Sequence, residues 1–334
     1  MTRLATVQNL PIFKHEREAL VHKRAVGSVI GRWFLLVAAV LLSGLALAVA
    51  GAWYLANRPM PPVTPEEIAQ HRAKAMQWLK QHEQQVLADP NAALWWMLQK
   101  AAQHSGDAYL QDLTGKALQR HFSGFYAKEP WRRMMEPQAE ISAYAIGVER
   151  LVDYQRFFHH AMTCRPMDLP QGDTSLFLQQ DMCSPMWSAV FLTDAVCTTH
   201  QVVGLMLIRQ TGCAGLPDLG PLTAHLLDDV ETQLTWDPLV RDPHYQRLLV
   251  LALNQRQAQI KPVWLRRMLQ AQEPDGGWLG YRRIPELPAL MQPWHWREVL
   301  ASHRPDWFAP DRKTFDFHAT AQVILLLTLL DGQR

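Results

Sequence analysis

The sequence predicts an all-α protein: one N-terminal transmembrane helix followed by a helical domain. Three observations carry this. An uncharged run, "WFLLVAAVLLSGLALAVAGAWYL", extends from Trp33 to Leu55. Beyond it, stretches such as "IAQHRAKAMQWLKQHEQQVL" and "AALWWMLQKAAQ" place apolar residues at helical spacing. No period-2 strand pattern and no Asn-Gly hairpin turn stands out.

The apolar run exceeds the ~20 residues needed to cross a bilayer. Trp33, Trp53 and Tyr54 lie at its ends, where amphipathic rings favour the membrane interface. Arg3, Lys14, Arg17, Lys23, Arg24 and Arg32 precede it, against Glu16 and Glu18. The positive-inside rule then puts residues 1–32 in the cytoplasm as a basic stub and everything after Leu55 outside it, in the periplasm of a cell with an inner membrane. A cleaved signal peptide competes, because "ALAVAGA" resembles a cleavage site. The long charged lead and extended apolar run favour an uncleaved anchor.

Residues 56–65 read as a stiff Pro-rich spacer that holds the next domain off the membrane. Thr64-Pro65-Glu66-Glu67 reads as a helix start, with Thr as N-cap, Pro in the first turn and acids beside it. Residues 66–334 form the extracytoplasmic domain, its helical runs separated by breaks such as "CRPMDLPQGD", "GCAGLPDLGP" and "TWDPLVRDP". With 334 residues, 48% of them hydrophobic, there is ample material for a core. A formal charge of +2 and no long basic run exclude a nucleic-acid footprint. The 13 Trp read mainly as packing residues.

Four stretches suggest an internal repeat: "EISAYAIGVERL" from Glu140, "DAVCTTHQVVGL" from Asp194, "DPHYQRLLVLAL" from Asp242 and "DFHATAQVILLL" from Asp316. Each begins with an acid, as suits a helix N-terminus, and each has Leu at its twelfth position.

The stretch "WLRRMLQAQEPDGGW", Trp264 to Trp278, resembles the Gln-x-x-Asp-Gly-Gly-Trp repeat of the α/α-toroid superfamily, which includes terpenoid cyclases and protein prenyltransferases. The resemblance implies an α/α-toroid, or an incomplete α/α barrel, of helical hairpins. It covers about Val263 to Leu330, with an insertion, "PELPALMQPWHWREVLASHRPDW". In the motif, Gln272 is expected to bond a neighbouring helix end, Gly276 and Gly277 to permit positive φ, and Trp278 to pack over the turn. The motif speaks for fold and is nearly silent on chemistry.

The family's chemistry does not transfer readily. The cyclases' Asp-x-Asp-Asp is absent, and "LLDDVE" around Asp228-Asp229 lacks the leading Asp. The prenyltransferases' zinc set would fall on Asp181, Cys183 and His244, which are proper zinc ligands, but Pro185 interrupts the helix start and the His is offset. Prenylation of cytosolic proteins also has no place outside the cytoplasm. Neither a metal nor a cofactor is expected.

A toroid gathers the N-termini of its inner helices at one end. That mouth would hold Glu140, Asp194, Asp242, Asp275 and Asp316, with His318, Tyr144, Trp278 and Tyr281 near them. Glu140, Asp194, Asp316 and His318 are candidate catalytic residues. Asp194 and Asp316 are expected to face one cavity, within the ~5–9.5 Å of catalytic carboxylate pairs. Tyr144, Asp242, Trp278 and Tyr281 are candidate ligand contacts for a sugar or peptide. The plainer reading is that the acids only cap helices.

The cysteines, Cys164, Cys183, Cys197 and Cys213, all follow the anchor. One helix from Asp194 to Arg209 would hold Cys197 and Cys213 ~24 Å apart, too far to bridge. A single Cys164–Cys183 staple is preferred, with cross-pairings to Cys197 and Cys213 the other possibility. Cys197 and His200, one turn apart, could touch, but no nucleophile signature surrounds them. Adjacent His159 and His160 do not share a helix face and read as a polar rim. The leading function is a non-enzymatic binding or assembly role at the cell envelope, with a protein partner or saccharide ligand. An envelope polysaccharide lyase or hydrolase is the alternative, and an isoprenoid-acting relative the third.

Overall fold

The computed structural model describes residues 11–142, 150–170, 172–183, 196–280 and 315–332, with backbone alone for 11–32 and Asp181. The chain divides into two units, Met1–Tyr54 and Leu55–Arg334. In the first, α1 (Pro11–Asn57) is one continuous helix that runs on into the second. From Trp33 onward it is long and apolar enough to cross a membrane, and its side chains from Trp33 to Tyr54 are mostly exposed.

The second unit is built of helices: α2 (Pro65–Gln81), α3 (Glu83–Val86), α4 (Ala92–Ser105), α5 (Ala108–His121), α6 (Arg132–Met135), α7 (Asp153–Thr163), α8 (Cys197–Thr211), α9 (Gly220–Trp236), α10 (Asp242–Leu253), α11 (Pro262–Gln270) and α12 (Phe317–Asp331). A two-residue antiparallel pair, β1 (Asp168–Leu169) and β2 (Gly172–Asp173), is the strand content of the described residues.

These helices form two layers. In one, α7 packs on α8, α8 on α10, α10 on α12 and α12 on α4. In the other, α5 covers α4, α2 covers α12, α11 covers α10, and α9 lies over both α8 and α10. Composition sets the layers. α8, α10 and α12 bury most of their residues, apolar ones together with polar ones that find partners inside, such as Gln201 and Arg247. α2 and α5 keep charged faces and bury one stripe. The short α6 packs on α4 and reaches α7 where Arg133 Nη1 donates to Met162 O at 2.9 Å.

Thr64 caps α2 in a capping box with Glu67, as its sequence predicts. The spacer differs from expectation. Ala56 is buried, and its carbonyl accepts from Trp264 Nε1 at 2.8 Å. Asn57 donates to Thr235 O at 2.7 Å. Arg266 of α11 clasps Pro61 O and Pro62 O at 2.6 and 2.7 Å and pairs with Glu67. These two cationic hydrogen bonds, with those at Ala56 and Asn57, make residues 56–65 a strap fixed to the folded unit.

The cysteines pair as Cys164–Cys213 and Cys183–Cys197, with Cα–Cα distances of 5.3 and 5.5 Å. This corrects the Cys164–Cys183 staple. α7 and α8 are packed neighbours. Their C-terminal ends bring Cys164 to Cys213, while Cys183 meets the first residue of α8. Cys197 and Cys213 do stand at opposite ends of α8.

The Gln272–Trp278 turn is architectural. Gln272 Nε2 donates to His71 O and Gly276 O at 3.0 and 2.8 Å, and its Oε1 accepts from His71 Nδ1. It therefore holds the middle of α2, not a helix end. Gly276 has φ +99°, and a Cβ there would run into Lys74 O and stand 2.8 Å from the Lys74 carbonyl carbon. Asp275 Oδ2 accepts from Trp78 Nε1 at 3.2 Å. Trp278 is fully buried; its Nε1 donates to Met268 O, and its backbone N–H donates to Thr320 Oγ1.

Candidate functional site

Residues from four neighbouring helices of the first layer meet near their N-terminal ends. Asp242 is the first residue of α10, and Arg241 before it makes no side-chain cap. With no capping duty, the Asp242 carboxylate reaches across to α12. Its Oδ1 accepts from His318 Nδ1 at 2.8 Å and from Gln322 Nε2 at 3.2 Å. His318 and Gln322 are one helical turn apart, so both face α10. Gln322 Nε2 also lies 3.1 Å from His318 Nε2.

Asp316 does cap its helix: Oδ1 accepts from Ala319 N and Oδ2 from Gly280 N, at 3.1 and 2.9 Å. Gly280 stands between the two acids, and Asp242 N donates to Gly280 O. A Cβ on Gly280 would lie 3.0 Å from Asp316 Oδ2 and 3.9 Å from the Asp242 carboxyl carbon. The two carboxylates are therefore near neighbours, and a Cβ on Gly280 would crowd both.

On the α8 side, His200 Nδ1 donates back to Val196 O at 2.8 Å, and Tyr154 of α7 lies over the ring at a centroid distance of 4.0 Å. Burial pushes His200 down to about 4, outweighing its backbone bond, and His318 and Asp242 both act on its charge. Burial raises the Tyr154 phenol, with Asp242 adding to it. For His318 burial lowers the pKa, but the hydrogen bond and charge of Asp242, followed by Asp316 and Asp89, hold it above the ordinary histidine range. His318 and Asp242 keep 37% and 22% of their side-chain surface exposed. The cluster is thus a partly open patch of acids and rings, with Gln322 beneath it.

Other candidates go elsewhere. Glu140 is 82% exposed, pairs with Lys128 and starts no helix; α7 begins at Asp153 instead. The leading acid and the Leu at the twelfth position suggested a helix from Glu140. Trp278 and Asp275 serve the turn described above, so Trp278 is core and not a ligand contact. His244 is buried and donates from Nε2 to Trp264 O at 3.1 Å. Burial, and then the Arg267 cation, push it down to about 3. Cys183 and Cys197 are each in a disulfide, so neither is a thiolate for zinc or for a Cys–His pair. Among the described residues no set of three metal-ligating side chains converges. Asp228 and Asp229, on the outer helix α9, pair with Arg256 and with His225. His159 and His160 are buried rather than a rim. Asp194, Tyr144 and Tyr281 lie outside the described residues, as does the side chain of Asp181.

Tyr154 and Gln322 were not singled out as site residues from sequence, and His200 was considered only as a partner of Cys197. Gln322 had one available signal, a polar residue in the apolar run "ATAQVILLLTLL" one turn after His318. A second polar group was equally hidden. Asp237 Oδ2 accepts from Arg241 Nη2 and Arg247 Nη1 at 2.9 and 2.7 Å, with all three side chains at most 5% exposed. Burial would raise the Asp237 carboxyl, but the two guanidiniums hold it below its ordinary range. Gln233 links Arg247 to Thr198. This network ties α9, α10 and α8 together behind the cluster.

No family model, curated protein or solved structure matches the chain.

Proposed function

We propose that this is a single-pass, N-in membrane protein whose extracytoplasmic unit is an α/α-toroid that binds an envelope saccharide at the N-terminal end of its inner helices, without catalysis. The layered packing supports the toroid. α7, α8, α10, α12 and α4 make the inner layer, and α9, α11, α2 and α5 the outer one. Two disulfides suit an oxidising compartment, and the charge bias before Trp33 suits an N-in anchor.

The observation that carries the ligand reading is the meeting of Tyr154, His200, Asp242, Asp316 and His318 from four helices. Carboxylates accept from sugar hydroxyls, and ring faces take the C–H face of a pyranose. Binding is favoured over chemistry because the nitrogens are occupied. Both nitrogens of His318 face protein partners, and so does Nδ1 of His200. Proton transfer needs such a nitrogen aimed at the substrate.

The proximity of Asp242 and Asp316 around Gly280 favours a second reading, a hydrolase or lyase. Titrating the full chain in detergent with cell-wall oligosaccharides separates the two. The binding reading expects a saturable complex, intact saccharide, and affinity at least about tenfold weaker in Asp242→Asn, the value of one charge-assisted hydrogen bond. New reducing ends or unsaturated sugars would establish the enzyme instead. Absence of binding, or an unchanged affinity in Asp242→Asn, overturns the site.

A further inference from the structure

Gln322 is fully buried, and a single nitrogen of its amide serves two neighbours, Asp242 Oδ1 and His318 Nε2. Its Oε1 makes no hydrogen bond. With the amide in this orientation, His318 Nε2 must accept. The imidazole then carries its one proton on Nδ1, donated to Asp242. A second proton on Nε2 would set N–H against N–H. The unused Oε1 is the acceptor that proton needs, and it lies on the other arm of the same amide.

We propose that Asp242, His318 and Gln322 form a two-position switch: proton uptake at His318 Nε2 turns the Gln322 amide end for end and withdraws its N–H from Asp242. The proton comes from solvent, and no covalent bond changes. Neither orientation pairs every group. The first leaves Oε1 without a donor; the second sets Oε1 beside the Asp242 carboxylate. Such matched deficits make a bistable element.

The groups acting on His318 come from several elements. Asp242 belongs to α10, Asp316 to α12 itself, Asp89 to the turn before α4 and His200 to α8. Asp242 also acts on Tyr154 of α7. His82, after α2, lies against Phe315, the residue before Asp316. The carboxylates favour the doubly protonated ring, while burial and His200 oppose it. In the turned state Asp242 Oδ1 keeps only His318 as a donor within the trio and is available to a ligand. Only this consequence rests on the saccharide reading.

The test is histidine and glutamine side-chain NMR of the full chain in detergent micelles, titrated without ligand. Loss of signals in His318→Gln and Gln322→Leu identifies the two residues. His318 should titrate with a midpoint above about 6.5, the ordinary value, and the Gln322 amide signals should move with that same midpoint. Gln322→Leu removes both the donor to the neutral ring and the acceptor that the protonated ring gains; the bond to the charged ring is the stronger, so the midpoint should fall by about half a unit or more. Gln322→Glu keeps an acceptor there, adds an anion and should raise it. A Gln322 amide that stays constant through the His318 titration overturns the switch, as does an unchanged midpoint in Gln322→Glu. Because no ligand is present, failure here is distinct from failure of saccharide binding.

Discussion

Gly276 shows what a single residue decides. With φ at +99° and the Lys74 carbonyl where a Cβ would sit, any side chain must both strain its own backbone and push α2 away. Gly276→Ala is therefore expected to cost about 1–3 kcal/mol or more, the scale of a strained backbone position. Gly115, exposed within α5, has nothing within 4 Å of a would-be Cβ. Gly115→Ala should instead stabilise by up to about 1 kcal/mol, because alanine is the better helix former. Urea melts of the two variants should move in opposite directions; matching melts would refute the reading of the turn. At this scale the turn and the Thr64 cap were legible, since each depends on local backbone geometry. The role of Tyr154 was not, and Trp278 was assigned both to the turn, where it packs, and to ligand contact, where it does not. One tryptophan in a motif looks the same whether its ring faces a ligand or the core, and only packing distinguishes them.

Helices were legible where one chemistry ran their whole length. The segment Asp242–Leu253 that sequence marked out as a repeat is α10, with the same bounds. Asp316 precedes α12 as its N-cap. Residues 140–142 are not helical, the rest of the Glu140 stretch up to residue 149 lies outside the described residues, and α7 begins at Asp153. The Asp237–Arg241–Arg247 network could not be foreseen, because its partners come from the end of one helix and the first turns of the next, brought together by burial. It makes a firm prediction. Asp237→Asn leaves two buried guanidiniums without their anion and should cost about 3–5 kcal/mol, read as a lowered denaturation midpoint. Asp228→Asn, which breaks the exposed pair with Arg256, should cost no more than about 1 kcal/mol. Equal losses would mean that the buried network does not hold α9 to α10.

Across the whole molecule, the anchor and the helical class were legible because each depends on composition over many residues. The disulfide pairing and the meeting of α7, α8, α10 and α12 were not, because both depend on which helices become neighbours. The end of α1 and the strap that follows add a constraint: their bonds to Thr235, Trp264 and Arg266 fix the chain to the folded unit from Ala56 onward. Saccharide binding at the acidic cluster requires that unit to lie outside the cytoplasm, where both disulfides can persist. The most direct measurement is a reporter enzyme fused after Arg334, active only when exported, expressed in cells alongside a fusion active only in the cytoplasm. The account predicts activity from the exported reporter alone, with all four cysteines inaccessible to a thiol-alkylating reagent until reduced. Activity from the cytoplasmic reporter, with four free thiols, would contradict an envelope binding protein.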